Sequence, residues 1–201
     1  AQAHGTKINN KHVGTFGDIG TFSFFPGKNL GAYGDAGIIT TNNLKFYLKL
    51  KKLRNLGSEK KFIHDTVGLN SRLDTIQAII LNEKLKNLSL YNKKRRKIAK
   101  FYNQNINNKK ITKLNYSKSS VYHQYIIKHN NVDAIGKTLL SKGIQSRRYY
   151  PTSLHQTETY KDKGSYPNAE YCSSKALAIP VHQYLTDKEV STIIEAVKEA
   201  T

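Results

Sequence analysis

Two short apolar runs stand close together near the start of the chain, residues 21–25 (TFSFF) and 37–41 (GIITT). Aromatic and β-branched residues in runs of this length predict strands, and the lack of polar alternation predicts a sheet buried on both faces. Asn42 and Asn43 predict the cap of a helix over residues 44–56, stopped by Gly57. Phe46, Leu48, Leu50 and Leu53 fit a helical stripe there only in part. Residues 58–68 read as a polar loop. Leu73, Ile76, Ile80, Leu81, Leu85 and Leu88 then recur at helical spacing. They predict a long helix that starts near Ser71 or Leu73 and continues through KKRRKIAKFYNQN at 93–105. Its length suits a connector between two packed units.

Beyond residue 120 the pattern alternates. Residues 121–128 (VYHQYIIK) predict a strand, 132–142 a helix ended by Gly143, and 144–147 a short strand. An aromatic loop around Pro151 covers 149–155. Helices are predicted over 168–178 and 187–200; Thr186 followed by Glu189 is a capping-box signature for the last. Strands alternating with helices predict a small α/β unit. The expected divisions are 1–57, 58–105 and 106–201. No internal repeat or low-complexity tract interrupts them.

Composition changes this picture in three ways. At 201 residues and 38% hydrophobic, the chain can bury a core. Its 33 Lys and Arg against 14 Asp and Glu give a formal charge of +19, a field that would draw an anionic substrate. The lysines are scattered among abundant Asn and Ile rather than gathered in one stripe, which argues for compositional drift over a nucleic-acid surface. Cys172 has no partner for an internal disulfide, the amino terminus is polar, and no apolar run has membrane length. A cytoplasmic protein without a membrane partner is expected. The chain has no Met and opens on AQAHGT without a start signal, so a piece of a longer protein is expected.

Candidate chemistry centres on GTFSFFPGKNLGAYGDAG, residues 20–37. Pro26-Gly27 breaks the first strand, Lys28 follows the break, and Gly31, Gly34 and Gly37 allow the chain to turn sharply or crowd a ligand. Ser23, at a strand position, offers a hydroxyl. A lysine fixed at a strand end can hold a carbonyl group as an imine. The segment is not a phosphate-binding Walker loop, since no Ser or Thr follows the lysine. No grouping has metal-ligand spacing; His64 and Asp65 stand without further partners.

Collinear segments now accumulate: AQAHGT at 1–6, the lysine segment at 17–37, LRNLGS at 53–58, GLNSRLDTIQAIIL at 68–81, VYHQYIIK at 121–128, YYPTSLHQ at 149–156 and ALAIPVHQYLT at 176–186. Together they resemble the DegT/StrS sugar-nucleotide aminotransferases, which are fold-type I pyridoxal-phosphate enzymes. The resemblance implies an α/β chain: the end of the large cofactor domain (1–57), a connecting loop and helix (58–105), and a small carboxyl-terminal α/β domain (106–201). It implies that Lys28 forms the Schiff base with pyridoxal 5'-phosphate. Ser23 falls at the cofactor-phosphate position, and Gln2 at the contact to the ring's phenolic oxygen. Asn70 falls where an asparagine reaches the phosphate across a dimer interface; its simpler role is a helix cap. Arg72 would bind an anion in a neighbouring subunit's site or pair with Asp74. Tyr149, Tyr150 and His155 are candidates for sugar contacts or for packing. His4 would face the cofactor or close a turn, and His123 is read as a core histidine.

The implied reaction moves an amino group from glutamate to a nucleotide-linked keto-sugar, with Lys28 as proton shuttle. The wording of NLGAYGDAG and VYHQY is closer to members that aminate C3 than to C4 enzymes. Homodimers with shared sites are implied. In the family, an aspartate for the pyridine nitrogen sits just ahead of AQAHG and further donors lie upstream. The chain therefore corresponds to a carboxyl-terminal half and is expected to be inactive by itself. Two other readings stand beside this one. A non-catalytic or regulatory relative of the same fold would not need Lys28. A basic nucleic-acid-binding module would bind duplex DNA with steep salt dependence.

Overall fold

The computed structural model describes residues 1–162 and 164–200. It divides into two compact units: residues 1–93 with 119–121, and residues 94–118 with 122–201. The long helix contributes to both.

The first unit opens with a two-stranded hairpin, β1 (Lys7–Ile8) and β2 (Lys11–His12). Asn9 and Asn10 form its turn at φ 49° and 61°, the left-handed pair that matches strand twist and that Asn tolerates. β3 (Gly20–Ser23) and β4 (Gly37–Thr40) pair antiparallel, from Gly20 opposite Thr40 to Ser23 opposite Gly37. Both runs were expected as strands buried on both faces. The strands form, but Ile38 and Ile39 are 47% and 50% exposed. Two paired strands alone present more apolar surface than this unit covers.

α1 (Leu44–Leu53) starts at Asn43, whose side chain accepts from the amides of Lys45 and Phe46 at 2.9 and 3.3 Å. It ends three residues before the predicted limit, and Leu56 and Gly57 turn the chain at φ 60° and 72°. α2 (Thr75–Asn105) is the predicted long helix. Its apolar stripe is narrower than the sequence suggested. Leu81 and Leu88 pack with Phe24, Leu30 and Ala32 in the core of this unit, whereas Ile76 and Leu85 are 65% and 53% exposed.

In the second unit β5 (Thr112–Lys113), β6 (Tyr125–Lys128) and β7 (Ala176–Ile179) form an antiparallel sheet in that order. α3 (Val132–Ser141) and α5 (Asp187–Glu199) supply Ile135, Leu139, Val190, Ile194 and Val197 to its core. The capping box on α5 is present: the Glu189 amide donates to Thr186 Oγ1 at 3.2 Å, and the Thr186 amide donates to Glu189 Oε2 at 2.8 Å. The helix predicted over 168–178 is shorter. α4 (Pro167–Lys175) stops, and the fully buried Ala-Leu-Ala-Ile segment becomes β7. Four small or apolar residues without polar alternation suit a buried strand as well as a helix, and pairing with β6 decides between them. The short strand predicted at 144–147 contributes only the pairing of Arg147 with Ala178.

Arg95 is buried in this unit without a carboxylate partner among the described residues. Its Nη1 donates to the carbonyls of Val181 and Tyr122 at 2.6 and 3.1 Å, and Nε donates to Gln183 Oε1 at 3.1 Å. Burial holds its pKa down to about 10.

Candidate active site around Lys28

The loop from β3 to β4 carries Lys28, and backbone hydrogen bonds close it on itself. The Phe24 amide donates to Ala36 O at 2.7 Å, and the Ala32 amide returns to Phe24 O at 2.8 Å. Within it the Lys28 amide donates to Phe25 O at 2.9 Å, making the turn after Pro26-Gly27. Gly31 is required here: a Cβ would lie 2.3 Å from Pro26 O. The side chain of Lys28 is half-buried and makes no ion pair among the described residues.

Ser23, the last residue of β3, is half-buried, and its Oγ accepts from the Phe25 amide at 3.3 Å. The loop at the amino terminus contributes His4, which is 3% exposed. Its ring centroid lies 5.7 Å from those of Phe22 and Phe24. Neither ring nitrogen has a hydrogen-bond partner among the described residues. Burial holds the imidazole pKa below its ordinary value; the positive charge of the amino terminus and, least of the causes, that of Lys28 add to the effect, while the Ser23 main chain opposes it. His4 is thus a neutral ring within the electrostatic reach of the lysine. Gln2 is exposed nearby in sequence.

The other predicted site residues are distributed as follows. Asn70 is not a helix cap. It pairs with Asn55 across an isolated bridge, and its Oδ1 accepts from Arg72 Nε at 2.8 Å. Arg72 therefore turns to Asn70, and both are exposed. Tyr149 and Tyr150 belong to the second unit and are 39% and 68% exposed, edge to face at 5.7 Å. His155, in the same unit, is committed locally: Nε2 bonds Glu170 Oε1 at 3.0 Å, and its ring packs on Tyr166 at 4.6 Å. That favours packing for His155, while the two tyrosines keep exposed surface for a ligand.

Sequence reasoning missed two buried amides. Asn29 and Asn92 are 6% and 2% exposed, and Asn29 Nδ2 donates to Asn92 Oδ1 at 2.9 Å and to Val121 O at 2.9 Å. Asn92 Nδ2 donates to the His4 carbonyl at 2.8 Å. The one available signal was an Asn next to Lys28, which is not informative without a partner 63 residues away.

A model of the DegT/DnrJ/EryC1/StrS aminotransferase family matches residues 1–198. The chain belongs to this family. It is 38% identical over 202 residues to UDP-N-acetyl-3-dehydro-alpha-D-glucosamine 3-aminotransferase of Acidithiobacillus ferrooxidans, covering 98% of this chain and 55% of the relative. It is 39% identical over 201 residues to dTDP-3-amino-3,6-dideoxy-alpha-D-galactopyranose transaminase of Aneurinibacillus thermoaerophilus, with coverage of 98% and 55%. Among solved structures, Streptomyces venezuelae DesV in complex with a ketimine intermediate superposes with a TM-score of 0.93 at 32% identity, covering 99% of this chain and 56% of that one. The chain spans about half the length of the relatives it matches.

Family membership makes pyridoxal phosphate the group to test against the Lys28 site, and the residues present fit it. Among the described residues, Lys28 offers an amine free of carboxylate pairing, Ser23 a hydroxyl with acceptor capacity left, and His4 two ring nitrogens without hydrogen-bond partners. No three or more His, Cys, Asp or Glu side chains among the described residues are grouped to hold a metal. No helix among them is long and apolar enough to cross a membrane.

Proposed function

We propose that this chain is the lysine-bearing, carboxyl-terminal half of a pyridoxal-phosphate aminotransferase that moves an amino group from glutamate to C3 of a nucleotide-linked 3-keto sugar. The observation that carries the reading is Lys28 itself: a half-buried amine without an ion pair among the described residues, at the turn between β3 and β4, five residues after Ser23 and within electrostatic reach of the buried, neutral His4. The assignment of C3 is supported by the 3-aminotransferase of Acidithiobacillus ferrooxidans at 38% identity.

Pyridoxal phosphate, when bound, supplies an aldehyde carbon for the amine and a ring that accepts the electron pair left by a departing α-proton. Lys28 Nζ would hold that aldehyde, then take up the α-proton and return it on the other side of the transfer. Ser23 Oγ would receive the phosphate and Gln2 the phenolic oxygen. Asn70 and Arg72, already bonded to each other at 2.8 Å, would act on the phosphate or another anion in the partner's site of a homodimer. Tyr149 and Tyr150 would contact the sugar, with His155 holding their loop. The cytoplasm, where nucleotide-linked sugars and glutamate meet, is the proposed location.

The test is reductive trapping. The protein is incubated with pyridoxal phosphate, reduced with borohydride and digested. A pyridoxyl group concentrated on the peptide containing Lys28, and absent from Lys28→Ala, is expected. Label spread evenly over surface lysines and indifferent to Lys28→Ala would reject the assignment.

A further inference from the structure

α2 does more than supply Leu81 and Leu88 to the core of the first unit. Between those leucines and beyond them, three polar side chains grip the main chain or side chains of the Lys28 loop. Gln77 Oε1 accepts from the Tyr33 amide at 2.8 Å. Lys84 Nζ donates to the Gly31 carbonyl at 2.7 Å and lies 4.4 Å from the Tyr33 ring centroid. Asn92 Oδ1 accepts from Asn29 Nδ2 at 2.9 Å, while its own Nδ2 donates to the His4 carbonyl at 2.8 Å.

The spacing is systematic. At 100° per residue, positions 77, 81, 84, 88 and 92 fall within one stripe about 80° wide. Polar and apolar residues alternate along it: Gln, Leu, Lys, Leu, Asn. The leucines press on Phe24, Leu30 and Ala32, and the polar residues fix Asn29, Gly31 and Tyr33 between and beside those contacts. Every second residue of the loop from 29 to 33 is thus held by α2. Lys28 stands at the end of this ladder, one residue from the buried Asn29. The same Asn92 bonds the His4 carbonyl, so one amide links the side chain of the residue after Lys28 to the main chain of His4.

We propose that Gln77, Lys84 and Asn92 form a positioning stripe that pre-organises Lys28, so that its ε-amine leaves from a fixed backbone anchor in register with His4. The inference rests on the reading of Lys28 as the pyridoxal-phosphate lysine. A flexible four-carbon stem gains reactivity when its anchor is fixed, because fewer conformers compete with the one that reaches the aldehyde. None of the three residues touches reacting atoms in this account. They act through the loop.

The test compares the unsubstituted protein with Asn92→Ala, Gln77→Met, Lys84→Met and Lys84→Arg, and with Asn82→Ala on the opposite, exposed side of α2. Three quantities are read: the rate at which borohydride fixes pyridoxal phosphate on Lys28, the pH midpoint of that reactivity, and the urea midpoint of unfolding. The expected result is a loss of about tenfold in the trapping rate at Lys28 for Asn92→Ala, and a smaller loss for Gln77→Met and Lys84→Met. Lys84→Arg keeps a cationic donor and is expected to restore the rate, and Asn82→Ala to leave it unchanged. Gln77→Met keeps length and removes no charge, so it reports on positioning even if Asn92→Ala unfolds. If the variants lower the urea midpoint but trap at the unsubstituted rate with the same pH midpoint, the stripe is structural only and the inference is overturned. If the unsubstituted protein takes no label at Lys28, the functional reading falls, and the inference falls with it.

Discussion

His4 gives the sharpest physical prediction, because its burial and its unpaired nitrogens push in a known direction. The perturbation is His4→Phe, measured without pyridoxal phosphate. The ring is 3% exposed, sits 5.7 Å from two phenylalanines, and has two nitrogens without hydrogen-bond partners among the described residues. A buried unpaired polar atom costs about 1–3 kcal/mol, and fitting a larger ring costs about 1 kcal/mol or more. The substitution is therefore expected to stabilise the protein by about 1 kcal/mol at pH 7.5. The acid side supplies the second, independent sign. The folded imidazole has its pKa lowered from 6.5, first by burial. Below pH 6.5 the unfolded chain takes up a proton that the folded chain refuses, so stability is intact above that pH and falls as pH drops. The limiting slope for one proton is about 1.4 kcal/mol per pH unit. His182 is shifted the same way by burial and by Arg95, so only the difference between variant and parent counts. Urea unfolding at pH 7.5, 6.5 and 5.5 is expected to show a flatter acid limb in His4→Phe than in the parent. A variant that is less stable at every pH, with the parent's acid slope, would refute the reasoning.

Two local predictions accompany it. Gly57 stands at φ 72°, and a Cβ there would lie 1.7 Å from Thr66 O; Gly57→Ala is expected to cost about 2 kcal/mol or more in urea unfolding and to open residues 58–69 to proteolysis. Thr186→Ala removes the side-chain half of the α5 capping box, with an expected loss of about 1 kcal/mol that Thr186→Ser restores.

The relation between sequence and site is uneven, and the unevenness follows the range of the interactions. The Pro26-Gly27 break, the glycines after it and the two flanking β-branched runs are local signals, and the β3–Lys28–β4 arrangement follows from them. The Asn43 cap and the Thr186–Glu189 box are equally local and appear as read. The Gln77–Lys84–Asn92 stripe was invisible because its partners lie 44 to 88 residues away, and the periodic apolar residues around it drew attention to Ile76 and Leu85 instead. From sequence His4 could only be read as facing the cofactor or closing a turn; its burial against Phe22 and Phe24 appears only in the fold. Arg95, one of five consecutive basic residues on α2, looks like a solvated charge and is instead the buried donor to two chain segments, at Tyr122 and at residues 181–183.

Residue order by itself determined where this chain turns, caps and breaks, and which amine follows the break. Those outcomes depend on φ preferences and on hydrogen bonds a few residues long. The tertiary structure decided that 176–179 is a strand, that the His4 imidazole is buried with its pKa lowered and without a hydrogen-bond partner among the described residues, and that α2 holds the lysine loop by alternating leucines and polar groups. Burial is a property of what packs around a residue, so both desolvation and the partner of a long-range hydrogen bond exist only once the chain has folded.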